Sequence, residues 1–186
     1  MDQTERQILD AMESTGPIPR RRVRSWIKNA TQIETDALLY EFTRDHWHRI
    51  EPRLARSETC ALIERYLLGC IRENPSGGRA LGRYDAAGEL ERWFDHLAGA
   101  EDDILPRVVD AVTTLFLTSD NNVRLAIEHG FLEHVLEQTA MRPLFAHWAN
   151  DDRLQGAWQN ALAWGKAHPN FVKNLRAVLR DVSESE

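Results

Sequence analysis

Residues 104–116, ILPRVVDAVTTLF, place apolar side chains at Ile104, Leu105, Val108, Val109, Val112, Leu115 and Phe116. That spacing follows i, i+1, i+4, i+5, i+8, i+11 and i+12, the stripe of an amphipathic helix wide enough to pack on a core. Val, Thr and Phe favour strands, but a 3.6-residue period held over this length outweighs their propensity. Shorter versions of the pattern recur along the chain. Ile8, Leu9 and Met12 lie on one face, then Val23, Trp26 and Ile27, then Leu38, Leu39 and Phe42, with Trp47 as a further candidate, over about 33–50. Leu62, Ile63, Leu67 and Ile71 follow a cap at Ser57, and Leu90, Trp93, Phe94 and Leu97 follow a cap at Asp85. No convincing strand interrupts the series.

The breaks between these stripes carry turn chemistry. Gly16 and Pro17 stop the first helix, and Pro19 fits the start of the next. ENPSGG is the clearest loop. Asp120 caps a short helix, Pro143 opens a segment ending at HWANDD, and a helix from about 152 carries Leu154, Trp158, Ala161 and Leu162. A last helix carries Phe171, Val172, Leu175, Val178 and Leu179 before SESE. These readings give an all-α chain, either a multi-helix bundle or a short armadillo/HEAT-like α-solenoid. At 186 residues a single domain, 1–186, is the expectation, with 1–50 as a semi-independent helical subdomain.

No apolar run approaches the roughly 18 residues that span a membrane, and the start has no cationic leader. A cytoplasmic protein is expected. Cys60 and Cys70 lie on one expected helix, roughly 15 Å apart at its rise, too far to bridge. They read as buried or half-buried thiols.

Charge is uneven. Residues 101–150 hold three basic and eight acidic side chains, net −5, of a chain total of −6. An acidic face attracts cationic partners and repels nucleic acid. The one basic cluster is RRRVRSWIK, with Arg20, Arg21, Arg22, Arg24 and Lys28.

Residues 102–138 resemble a single armadillo-type repeat: ILPRVVDAVTTLFL, then SDNNVRLAIEHG, then FLEHVLE. The resemblance implies a turn near Asn122, an inward Ile127 and a sharp corner at Gly130, where glycine tolerates positive φ. The longer run from YLLGCIRENP through ELERWFDHL to AWQNALAWG resembles uncharacterised bacterial helical proteins, some of them suspected antitoxins or immunity proteins. ERQILDAMESTGPIP with the basic cluster resembles the first two helices of a winged helix-turn-helix domain, which would imply phosphate contacts by the five cations.

Chemistry-bearing candidates are few. His129, Glu133 and Glu137 fall at i, i+4 and i+8 and would share a face for a metal ion if no corner intervened. His46 and His48 point about 200° apart on a regular helix and cannot chelate one ion. Asp102 and Asp103 suit a helix N-terminus. NPSGGRALG lacks the ending of a phosphate loop, and no coherent catalytic set or cofactor motif is present. The expectation is a non-catalytic, protein-binding helical module of immunity-protein type. Asp110, Glu128, His129, Glu133, His134, Glu137 and Trp148 would then form an acidic face for a cationic protein partner. A DNA-binding regulator and a metal-dependent helical-bundle enzyme are the alternatives.

Overall fold

The computed structural model describes residues 2–98 and 104–167. Asp102, Asp103 and the expected helix bearing Phe171 to Leu179 lie outside them. The described residues form an all-α structure whose only strands are two two-residue segments. The chain divides into two compact units, Met1–Leu90 and Glu91–Glu186, with the division falling inside one helix.

The first unit begins with α1 (Gln3–Glu13), β1 (Ile18–Pro19), α2 (Arg20–Asn29) and α3 (Ile33–Asp45). A 3-10 turn at Trp47–Arg49, β2 (Ile50–Glu51), α4 (Arg56–Glu73) and the start of α5 (Arg83–Ala98) follow. Asp2 accepts the Glu5 N–H at 2.8 Å while Glu5 accepts the Asp2 N–H at 2.9 Å, a reciprocal cap on α1. Arg49 closes the other end, donating to Ala11 O at 2.9 Å, Ser14 Oγ at 2.8 Å and Gly16 O. Ala11 O, at the end of α1, accepts from both the Arg49 guanidinium and the Ser14 hydroxyl.

The expected helix over 33–50 stops at Asp45, because the chain turns to lay Ile50 beside Ile18 in a parallel pair. Pairing between residues so far apart leaves no local period. Ser57 is not the cap of α4: the helix starts at Arg56, and Glu58 reaches back to the Ala55 N–H at 2.9 Å. Ile8, Ile18, Val23, Trp26, Leu39, Phe42 and Leu62 form one buried cluster, so residues 1–50 share their core with α4. Trp26 meets Phe42 edge-on at 5.6 Å, and its indole N–H donates to Gln7. After α4, Asn74 adopts a left-handed φ of 51°, and Gly77 and Gly78 have φ of 86° and 84°. The ENPSGG loop therefore turns where only such residues turn cheaply.

The second unit contains the rest of α5, then α6 (Ile104–Thr118) and α7 (Asn121–Ile127). A π-helical turn at Glu128–Leu132, α8 (Glu133–Glu137), a 3-10 stretch at Arg142–Asn150 and α9 (Gln155–Ala167) complete it. Asp120 caps α7 as expected, accepting the Val123 N–H at 3.0 Å. The corner expected at Gly130 is absent. Backbone from Ile127 through Glu133 stays helical, and the Glu133 N–H donates to Glu128 O, a π-type bond that absorbs one extra residue. Gly130 is not among the positive-φ residues. The core is aromatic: Phe94, Phe131, Phe145, Trp148 and Phe116 pass ring to ring at centroid distances of 5.0 to 6.1 Å. Burying each such ring stabilises by about 1.5–3 kcal/mol. Trp93, Trp158 and Trp164, expected in the core, are only half-buried; Trp26 and Trp148 are the fully buried tryptophans.

Candidate functional site

Because α7, the π turn and α8 run on without a corner, the Glu and His residues around Gly130 occupy one helical run. They do not form the expected outward face. Glu128 and Glu133 are buried, 9% and 6% exposed. Glu128 accepts from the Asn160 side chain of α9 at 2.8 Å. Glu133 sits 2.7 Å from His129 Nδ1, one turn earlier, and that ring is exposed. His134 is half-buried, edge-on to Trp164 at 4.9 Å and 3.8 Å from Glu137. Burial pushes the His134 pKa down, and the Glu133 charge only partly opposes it. Asp110, on α6, is the exposed acid of the expected set, and Glu137 is half-buried.

Trp148 is fully buried, and its indole N–H donates to Thr113 Oγ1 at 2.8 Å. It is a core residue, not an interface anchor. The expected acidic face thus loses Glu128, Glu133 and Trp148 to the interior. The extra residue of the π turn rotates the register, which a plain 3.6-residue count could not foresee.

The metal reading needed three ligands converging. Among the described residues no group of three His, Cys, Asp or Glu side chains could hold an ion. His129 and Glu133 meet, but Glu137 is engaged around His134. His46 lies 3.4 Å from Arg49, whereas His48 is exposed beside Trp47; the two separate because α3 ends at Asp45 and a 3-10 turn follows, not because they share a regular helix.

The basic cluster lies on α2. Arg21, Arg22, Arg24 and Lys28 are exposed and Arg20 is half-buried. Arg20 donates to Arg53 O at 3.2 Å, Arg22 lies 5.2 Å from the Trp26 ring centroid, and Arg24 pairs with Glu58 at 2.6 Å. Helix α2, a short turn and α3 follow one another in helix-turn-helix order. In such motifs the second helix enters the groove. Here α3 carries Glu34, Asp36, Glu41 and Asp45 against Arg44 alone, and Thr35, Asp36, Ala37, Leu38, Leu39, Phe42 and Thr43 are buried. Its charge repels phosphate, and it packs largely inward.

Three features escaped the sequence reading. Asp36 is buried on α3 and accepts from Arg65 of α4, with Nε at 3.0 Å, while Arg65 also donates to Ile27 O. Tyr40 stacks on Tyr66 at 4.9 Å and donates to Glu89 at 2.6 Å, and burial raises the pKa of both phenols. Trp47 is 49% exposed, with the Arg53 guanidinium 4.5 Å from its ring centroid. The sequence offered Trp47 as part of the apolar stripe over 33–50, but α3 ends at Asp45 and the following turn leaves the ring exposed. The first two had no signal in the sequence, because their partners lie tens of residues away.

No family model, curated protein or solved structure matches the chain. The fold defines its class: a helical protein in which the buried carboxylates Asp36, Glu128 and Glu133 are held by the side chains of Arg65, Asn160 and His129. Among the described residues no helix is long and apolar enough to cross a membrane.

Proposed function

We propose that the chain is a non-catalytic helical module that works by protein–protein contact. The observation that carries this reading is Trp47. It stands half-exposed under the Arg53 guanidinium, over a recess of about 240 Å³ lined by Thr43, Ile50, Leu54 and Thr59. Trp and Arg are the side chains that most often dominate binding energy, and an apolar recess beside them gives a partner side chain somewhere to go. The buried carboxylates support the reading from the other direction. Glu128, Glu133 and Asp36 are each committed to an internal partner.

In its finer form the partner is a cationic protein, as for an immunity protein that caps a toxin. The net charge of −6 and the exposed Asp110 favour that sign. A photo-crosslinking residue placed at position 47 in the native host tests the contact. A discrete protein adduct at 47, missing when the probe replaces exposed Ala163, is expected. No adduct at 47 rejects the reading. With that partner in hand, Asp110→Lys should slow association and flatten its salt dependence. Unchanged kinetics would remove the cationic version.

A further inference from the structure

We propose that the groove between α2 and α4 is a docking site for an acidic, amphipathic protein segment. This site goes beyond the contact reading above and stands on different residues. The groove encloses about 440 Å³ and is lined by Arg24, Ile27, Lys28, Glu58, Ala61, Leu62 and Arg65. Ile27, Ala61 and Leu62 make its apolar floor. Arg20, Arg24 and Lys28 stand at i, i+4 and i+8 along α2, so they form one ridge beside that floor.

The charge of α2 is what calls for a partner. The helix carries five cations and no acid, in a chain whose net charge is −6. Arg20, Arg21 and Arg22 occupy its first turn, the positive end of the helix dipole, where cations are disfavoured. Its N-cap, Pro19, makes no side-chain bond that would offset them. The pairs Arg20–Arg24 and Arg24–Lys28 add like-charge repulsion one turn apart. Glu58 pairs with Arg24 and also lies within electrostatic reach of Arg20, whose hydrogen bond goes to the Arg53 carbonyl, and Asp36 meets Arg65. Lys28 makes no hydrogen bond or ion pair among the described residues. Against the five cations of α2 the fold sets Glu58, so the helix keeps a positive face that an anionic partner complements.

The floor decides between anions. A nucleic acid backbone needs cations but gains nothing from Ile27, Ala61 and Leu62. A helical peptide with apolar residues at i, i+3, i+4 and i+7 and carboxylates on its flanks uses both the floor and the ridge.

The test uses the purified full-length protein and a short fluorescein-labelled peptide with Leu at those positions and Glu elsewhere. Binding should raise its anisotropy and weaken steeply with salt. Lys28→Glu should weaken binding roughly tenfold or more, as for the loss of a close charge contact. Ala61→Trp fills the groove without changing charge, at an exposed position that tolerates bulk, and should abolish binding. Lys166→Glu, on α9, should leave it unchanged, and circular dichroism should show all three variants folded. Four results would overturn the proposal. The labelled peptide does not bind at low salt. A peptide with Lys in place of Glu binds equally well. A thymidine oligonucleotide binds with the same sensitivity to Lys28→Glu and Ala61→Trp. Sedimentation shows self-association that Ala61→Trp abolishes, which makes a second copy the occupant.

Discussion

Asp36 shows how much one side chain can depend on residues far along the chain. On α3 alone it reads as a first-turn acid that suits the helix dipole. In the folded unit it is buried against Arg65, with Glu73 adding a like charge. Burial raises its pKa above the ordinary 3.8, and the Arg65 bond and charge only partly reverse this. An acid raised in the folded state contributes stability that is fully present below its unfolded pKa. That contribution is lost as pH rises through the folded value. Asp36→Asn removes the titration while keeping an acceptor for Arg65. The unfolding free energy of the variant relative to the parent should therefore shift in the variant's favour as pH rises past the ordinary carboxylate value of 3.8. Urea denaturation on both sides of that value measures it, and a shift toward the parent would mean that Arg65 governs the carboxyl. Nothing around position 36 in the sequence announces this burial, because the burying element is α4.

At the scale of elements, α8 and α9 approach closely because α9 presents small residues. Ala157 and Ala161 are buried, and a side chain at Gly165 would begin 3.3 Å from Glu137 Cγ and 3.6 Å from its Cα. The approach brings Asn160 to Glu128 and Trp164 to His134. Gly165→Leu should push the helices apart and destabilise by about 1–3 kcal/mol. Gly165→Ala should stay within about 1 kcal/mol of the parent, since its gain in helix propensity offsets the tight contact. Chemical denaturation distinguishes the two; equal midpoints for Leu and the parent would refute the packing. The helical stripe of 104–116 and the Asp120 cap were legible beforehand, as both are set within a few turns of chain. The continuity through Gly130 was not. A glycine beyond a short helix favours a corner by propensity, and here the burial of Phe131 and Leu132 in the core overrides it.

For the molecule as a whole, the reading of an all-α fold from periodicity holds, while the placement of charge was read less well. The acid-rich segment turns part of its charge inward, and the basic helix stands exposed beside an apolar groove. The two cysteines report on how tightly the first unit is closed. Both lie on α4, 4% and 0% exposed, without a disulfide, and burial pushes the Cys70 thiol up to about 11. An aromatic disulfide reagent should label neither thiol in the native protein on the timescale that it labels both in denaturant. The native labelling rate should rise with urea as the unit opens. Rapid labelling without urea would contradict the burial of α4.

By itself the sequence determined the helical class, most helix spans and the absence of a Cys60–Cys70 bridge. Each depends on side chains within one helix, where period and capping fix the outcome. Only the tertiary structure decided that Glu128 finds Asn160, that Trp148 finds Thr113, that Asp36 finds Arg65, and that α2 and α4 leave a groove between them. Those pairings join residues about 30 positions apart. They are chosen by which apolar faces bury together, so the polar groups carried on those faces meet partners that no local pattern encodes.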